Sequence, residues 1–354
     1  MTNGTTENQS PTITGWLRAV GVFDFLKAWR EAFRGGAVVL ATVGLMVSAI
    51  WMWTLDRLWK VSGAESEPSR LFGAMGWDWN SIGWVGPLIR EHWFFGVCLM
   101  IPLVFLWSLI GGAILRMLAY RQTQDLHLSI GRSLEFSIQH YWRGYLLAWV
   151  LPVGFAMLVS AMVIIYGMMM AIPWVGDLIG GLLFFIPLAL GFLLAFGVLV
   201  VLIGGHLFSP GVAVGGAHGA DAVTSAVSYV LSRPFRAIAY FAMTCLMIWA
   251  TAAFLAFLVQ LAESITTCLI SFGEGVWSAR GDGRSDKTSQ FLMECWLGGL
   301  HYIARGAVTC VFFSGSLVSF LLLREAVDGK GRGEVDGVGV DAAPPSFVEP
   351  VDTP

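Results

Sequence analysis

Charged residues are scarce in this chain: Asp, Glu, Lys and Arg make up only 13% of its 354 residues. An ordinary soluble domain carries about 25% charged residues. Here 56% of the residues are hydrophobic, and the mean hydropathy is +0.71. The formal net charge of −3 lacks the basic excess that is typical of nucleic-acid binding. The composition therefore argues against a soluble protein and gives no support to a nucleic-acid partner.

Recognisable catalytic and metal-binding motifs are also missing. The five cysteines form no C-x-x-C pair, no H-E-x-x-H motif is present, and the histidines are scattered. The glycine-rich segment 215–219 lacks the Lys-Ser/Thr ending and the preceding strand of a phosphate loop. No G-x-S-x-G nucleophile elbow occurs. We therefore predict no catalytic residue, no cofactor and no metal.

What the chain has instead is a series of long apolar runs. A helix that crosses the hydrocarbon core of a bilayer needs about 20 apolar residues, with about 17 as the lower limit. Only helices and closed barrels satisfy the backbone polar groups in lipid. Six runs meet that limit: Gly35–Leu55, Trp93–Leu115, Gly144–Gly176, Leu178–Gly205, Ala237–Ala262 and Gly306–Leu323.

The runs predict an all-α, polytopic membrane protein. The membrane domain is expected over residues 15–325, between polar tails at 1–14 and 326–354 that have too little apolar surface to fold. Its spans are expected at about 35–55, 93–115, 145–172, 178–205, 237–262 and 301–323.

Lys and Arg residues near the span ends predict the orientation. Thirteen of them lie on the side of the two termini, and eight lie on the opposite side. Positive residues are enriched in cytoplasmic loops, so both termini are expected in the cytoplasm. The first span then acts as a signal-anchor.

A short pattern precedes three of the spans. Leu134–Gly144 and Val227–Ala237 match in residue class when shifted by 93 positions, and Phe33–Gly35 repeats the closing aromatic-Arg-small triplet. Two interpretations stay open: a triplicated helical hairpin, or a common way to start an inside-to-outside helix. Each triplet ends a stretch whose apolar residues have helical spacing, typical of a short interfacial helix. These sets are Phe23, Leu26, Trp29, Phe33; Ile130, Leu134, Ile138, Tyr141; and Val223, Val227, Val230, Leu231.

Two segments carry a family resemblance. Gly111–Met117 and Ala226–Phe241 look like segments of uncharacterised bacterial multi-pass membrane proteins. They are also similar to the membrane domain attached to some glycerophosphodiester phosphodiesterases. The likeness covers roughly residues 94–245 and includes no catalytic phosphodiesterase domain. It implies a bacterial inner-membrane protein and does not imply that activity.

The most informative polar cluster lies at the predicted outer ends of the last two spans. Gln260 and Glu263 end the fifth span, while His301 and Arg305 lead the sixth. Ionisable groups at membrane depth tend to pair, so Glu263 is expected beside Arg305. The cluster is either a substrate or proton site, or a helix clamp, or a set of side chains that reach the headgroups separately.

Two features of the outer loops leave alternatives open. Cys268 and Cys295 flank the last outer loop and are candidates for a disulfide in an oxidising compartment. The Trp-rich first outer loop, roughly Val61–His92, is either a lid, a partner surface or a segment lying on the headgroups.

These observations favour a non-enzymatic integral membrane protein that organises lipid or partner proteins. Its expected partners are the lipid bilayer and either other proteins or further copies of the chain. The alternative is a transporter of a small molecule or lipid, to which Pro102, Pro152 and Pro187 inside the spans give modest support. For an intramembrane enzyme the sequence offers no matched acid, base or nucleophile.

Overall fold

The computed structural model describes residues 21–33, 35–61, 93–124, 126–170, 183–216, 218–278 and 287–331. This part of the chain is 94% helical and contains no strand, which confirms the predicted all-α class. Its α-helices are α1 (Val22–Ala32), α2 (Gly35–Val61), α3 (Trp93–Gln124), α4 (Ile130–Gln139), α5 (Leu147–Met170), α6 (Phe185–Gly204), α7 (Phe208–Gly215), α8 (Gly219–Ser232), α9 (Pro234–Ser278) and α10 (Lys287–Asp328).

Six helices are long and apolar enough to cross a membrane, as predicted: α2, α3, α5, α6, α9 and α10. They follow one another as three pairs, here called the first hairpin (α2 and α3), the second hairpin (α5 and α6) and the third hairpin (α9 and α10). A short helix precedes the first member of each pair: α1, α4 and α8. The chain is therefore a membrane-embedded helical protein.

The last two helices are much longer than predicted. α9 has 45 residues and α10 has 42. At 1.5 Å per residue they measure about 68 and 63 Å, roughly twice a hydrocarbon core of about 30 Å. The helices therefore continue past the predicted span ends near Ala262 and residue 301, because a single charged residue does not terminate a helix. α10 also continues to Asp328, beyond the predicted start of the tail at residue 326.

Several predicted boundaries lie outside the described residues. These are the N-terminal tail at 1–14, the first outer loop beyond Val61, residues 171–182 between the third and fourth spans, and the tail from residue 332.

The packed interior lies at one end of the molecule. Helices α1, α4, α7 and α8 pack there against the adjoining ends of the long helices. We call this cluster the basal core. Its largest fully buried side chains include Phe25, Leu118, Tyr145, Phe208 and Leu317. In the most apolar stretch of α10, 78% of the residues are buried. The apolar run Gly306–Leu323 therefore serves protein packing as much as contact with lipid.

Local sequence explains the short helices of the basal core. α1 buries Phe25, Ala28 and Ala32 and turns its other face outward. The side chain of Ser129 caps α4 by accepting a hydrogen bond from the Arg132 backbone N–H. α8 begins at Gly219, where a Cβ atom would collide with the Gly144 carbonyl. Only glycine permits this close approach, which ties α8 to the base of the second hairpin.

The second hairpin is attached to the rest of the molecule mainly at its base. There a π-helical turn, Tyr141–Leu146, joins α4 to α5. Beyond the base, only 11% of the residues in the most apolar stretch of either member are buried. The first and third hairpins instead pack along their length, because Gly306 of α10 lies directly against Thr42 of α2.

Candidate functional site

The predicted polar cluster is only partly assembled in the structure. Nε2 of His301 lies 3.0 Å from Oε1 of Glu263, and both side chains are partly exposed. The sequence had predicted Arg305 as the partner of Glu263, and this prediction is wrong. Its guanidinium lies 5.8 Å from the centre of the Tyr302 ring, and Gln260 is exposed on α9. The reason is register: the antiparallel packing of α9 and α10 sets Glu263 opposite His301, one helical turn before Arg305.

The Glu263–His301 pair lies deeper than the outer ends at which the sequence placed it. Gly306 touches Thr42, which is seven residues from the start of α2, or about 10 Å. His301 is five residues further from the basal core, or about 8 Å more. The pair therefore stands about 18 Å along α2, a 27-residue helix of about 40 Å. Ionisable groups within helices that cross a membrane mark proton or substrate sites, or they pair to hold helices together.

An apolar cavity of about 410 Å³ lies where the three hairpins meet. Helix α3 contributes Leu103, Val104, Trp107 and Ser108 to its wall. The base of the second hairpin adds Trp149 and Ser209, and α10 adds Thr309, Phe312 and Phe313. Pockets that bind small molecules have about 300–1,000 Å³, mostly apolar walls and a few polar groups. The cavity meets this description.

Hydrogen bonds fix the two indoles of the cavity. Nε1 of Trp107 donates to Oγ of Ser48 over 3.2 Å, and its ring stacks on Phe313 with the centroids 6.3 Å apart. Nε1 of Trp149 donates to Oγ of Ser209 over 3.3 Å. Both aromatic walls are therefore held in place from different helices.

Ser108 is the unusual polar residue of the cavity. It is 4% exposed, and its Oγ has no hydrogen-bond partner among the described residues. Other buried serines in the spans, such as Ser48 and Ser316, donate to a carbonyl one turn earlier in their own helix. Nothing in the sequence singles Ser108 out, because a serine within an apolar run ordinarily makes that same bond.

Arg116 is one of the thirteen basic residues on which the predicted orientation rests. In the structure it is buried, with 1% of its surface exposed. Its Nη1 donates to the Ala213 carbonyl over 2.6 Å and its Nη2 to the Tyr120 hydroxyl over 3.1 Å. Its Cζ lies 3.9 Å from the centre of the Phe136 ring. The guanidinium thus joins α3, α4 and α7, a structural use of a planar cation.

Two further polar links fasten α1 to the basal core. Nε of Arg121 lies 3.0 Å from the buried carboxylate of Glu31. Nε2 of Gln122 donates to Oγ of Ser314 over 2.7 Å, and Ser314 in turn donates to the Ala28 carbonyl over 2.8 Å. These links are structural and explain why α1 lies against both α3 and α10.

The C-terminal end of α10 is anchored on α8. The Tyr229 hydroxyl donates to Oδ2 of Asp328. Burial raises the pKa of the Tyr229 phenol above its ordinary value, and the hydrogen bond to Asp328 raises this pKa further. The neutral phenol is thus the form that the fold stabilises.

Within the part of the chain that the structure describes, no three His, Cys, Asp or Glu residues are placed to hold a metal ion. Cys268 and Cys295 are free and exposed. Neither feature adds a chemical group to the two sites described above.

Comparison of the chain with protein-family models, curated proteins and solved structures gave no match. The fold and the two sites therefore define only a class: over the residues that the structure describes, the protein is helical and has six helices long and apolar enough to cross a membrane.

Proposed function

We propose that this chain is a non-enzymatic integral membrane protein that organises the lipid around it. The observation that carries the proposal is the second hairpin, which the basal core holds at one end while its shaft remains uncovered. Met168 is 69% exposed there and Phe192 is 76% exposed. In water each such side chain forgoes about 1.5–3 kcal/mol of burial, which supports a shaft covered by lipid.

The distribution of chemistry supports the same proposal. Among the described residues of the second hairpin, ionisable side chains lie only at its base, apart from the Tyr166 phenol. A catalytic role needs an acid, base or nucleophile held close to another such group. The cavity instead offers aromatic and aliphatic walls with three hydroxyls, which suits holding an apolar molecule.

The proposal includes the membrane in which the protein lies and its orientation there. The basic residues near the span ends favour a chain with both termini in the cytoplasm. The resemblance to bacterial multi-pass proteins, and to the membrane domain of some glycerophosphodiester phosphodiesterases, favours the bacterial inner membrane. The short helices α1, α4 and α8 are amphipathic or partly so, which suits helices that lie at the cytoplasmic surface of that membrane.

A triplicated origin of the hairpins is part of the proposal and has two contacts in its support. Gly112 of α3 packs on Ser137, while Gly204 of α6 packs on Val230. Ser137 and Val230 are 93 positions apart, the same shift that aligns the sequence pattern before the second and third hairpins. The two glycines are 92 positions apart, one short of that shift, so similar small residues receive short helices at nearly matching places in two of the three units.

Photo-crosslinking tests the proposed lipid contact of the second hairpin. A benzophenone amino acid replaces the exposed Phe192, and as a matched control it replaces Val200, which is 7% exposed on the same helix. We expect lipid adducts at position 192 in intact membranes and few at position 200. Labelling of a cysteine at position 192 by a water-soluble maleimide, without lipid adducts, contradicts the proposal.

A transporter is the second candidate, and the depth of the Glu263–His301 pair favours it. Proton carriers use acidic and histidine side chains within membrane helices. The test is proton flux into proteoliposomes that enclose a pH-sensitive dye. Flux that Glu263→Gln abolishes and Arg305→Gln leaves intact supports transport, whereas flux no greater than that of empty liposomes excludes proton carriage.

A further inference from the structure

We propose that the cavity between the three hairpins binds a neutral lipid whose polar part is a ring carbonyl, as in a quinone. The inference rests on the proposed function and names the class of molecule held. Four features of the cavity lead to it: its polar group, its uncharged lining, its aromatic walls and its entrance.

The polar group is the Ser108 hydroxyl. A buried hydroxyl without a hydrogen-bond partner is unfavourable, because it has given up its bonds to water. Ser108 is 4% exposed and its Oγ lacks a protein partner among the described residues, yet it lines the cavity. A ligand with one acceptor oxygen satisfies this donor, and a pure hydrocarbon does not.

The lining selects among lipids that carry such an oxygen. None of the described residues that line the cavity is charged, and its polar groups are the hydroxyls of Ser108, Ser209 and Thr309. A charged headgroup placed there would lose its hydration without gaining a counter-charge. The oxygen that reaches Ser108 therefore belongs to a molecule without a charged headgroup.

The walls favour a ring over a plain chain. Trp107, Trp149, Phe312 and Phe313 supply four aromatic side chains from three helices. Aromatic rings prefer other rings in offset or edge-on arrangements with centroids about 4.5–7 Å apart. Because hydrogen bonds to Ser48 and Ser209 already fix the two indoles, these faces are preorganised for a flat partner.

The cavity also has an entrance from the membrane. Phe312 is 37% exposed and Val104 is 39% exposed on its rim. The second hairpin meets the cavity only through its base, by Trp149 and by Ser209 at the start of α7. A lipid tail can therefore extend from the cavity along the uncovered side of α3.

Binding of labelled decylubiquinone tests the proposal. The full-length protein is embedded in nanodiscs of phosphatidylcholine and phosphatidylglycerol, and empty nanodiscs give the background. Two unlabelled competitors separate the features: decylbenzene has the ring without a carbonyl, and methyl palmitate has the carbonyl without a ring. We expect saturable binding that unlabelled decylubiquinone displaces far better than either competitor.

Variants assign that binding to the cavity. Ser108→Ala removes the hydroxyl and is expected to weaken binding about five- to tenfold, the effect of one hydrogen bond. Its thermal stability is expected to stay unchanged or rise, because the native hydroxyl has no hydrogen-bond partner among the described residues. Ser316→Ala is the matched control, since that hydroxyl bonds only its own helix, to the Phe312 carbonyl, and it is expected to bind as the native chain does.

Two results overturn the proposal. Equal displacement by methyl palmitate, with full binding retained in Ser108→Ala, means that any acyl chain fills the cavity. Binding no greater than that of empty nanodiscs means that the cavity is not a site for this class. Both results leave the crosslinking at Phe192 untouched, so they are distinguishable from failure of the proposed membrane function.

Discussion

Glu263 and His301 face each other across the third hairpin, with Oε1 of the carboxylate 3.0 Å from Nε2 of the imidazole. The contact joins two helices that continue well past it, α9 to Ser278 and α10 back to Lys287. The contact therefore connects α9 and α10 well before the ends at which the two helices approach their loop. Its two members are only partly exposed, 26% for Glu263 and 45% for His301.

The first prediction concerns this pair. Glu263→Gln and His301→Gln are each expected to lower the thermal stability of the detergent-solubilised protein, and the double variant little more than either one. Residues in direct contact show coupling energies of about 0.5–3 kcal/mol. Arg305→Gln serves as the control, and its effect is expected to add to that of Glu263→Gln. Simple additivity of Glu263 and His301 contradicts the pairing.

The second prediction concerns Arg116. Lysine cannot donate to both the Ala213 carbonyl and the Tyr120 hydroxyl while lying over Phe136. Arg116→Lys is expected to destabilise the fold by about 3 kcal/mol, the scale seen when a buried charge loses its partners. Thermal unfolding in detergent measures the loss. Arg143→Lys, at an exposed arginine, is the control, and similar losses in the two variants contradict the assigned role.

The third prediction concerns a close backbone approach. A Cβ atom at position 219 would collide with the Gly144 carbonyl, so Gly219→Ala is expected to lower the free energy of unfolding by about 1–3 kcal/mol. Gly191→Ala in α6 is the matched control, because a Cβ there meets nothing within 4 Å. It is expected to gain about 0.5–1 kcal/mol from helix propensity. Limited proteolysis of membranes gives an independent readout, and a stable Gly219→Ala refutes the contact.

The fourth prediction is a pH dependence. The pKa of Tyr229 is raised in the fold, by burial first and then by Asp328. The associated stability is complete below the ordinary tyrosine pKa of about 10 and is lost as the pH rises beyond it, because the unfolded chain ionises first. Tyr229→Phe is expected to cost about 1 kcal/mol at neutral pH and to lose less stability between about pH 10 and 11. Alkaline unfolding curves that stay parallel in the two proteins contradict this.

The sequence was sufficient for the features that depend on local pattern. Apolar runs of membrane length predicted six long helices, and apolar spacing through Leu26, Leu134 and Val227 indicated helical segments before three of them. Such properties depend only on residues that are close together in the sequence. They need no knowledge of which helix packs on which.

The remaining features depend on tertiary packing. Arg116 and Ser108 look like an interfacial charge and a serine making its usual helical bond, and only their neighbours from other helices change those roles. The partner of Glu263 depends on the register of α9 against α10. A difference of one helical turn in that register places His301, and not Arg305, beside Glu263. The ends of those helices were missed because isolated charges were treated as boundaries.

The second hairpin is attached mainly at its base, so a small rotation there displaces its far end by a large distance. α5 has 24 residues and is about 36 Å long, so a rotation of about 10° at the π-helical turn moves its far end by about 6 Å. That displacement exceeds half the distance of 8–10 Å between packed helices. A force applied at the far end of the hairpin would therefore be borne at its base, where the backbone of Gly219 lies against that of Gly144.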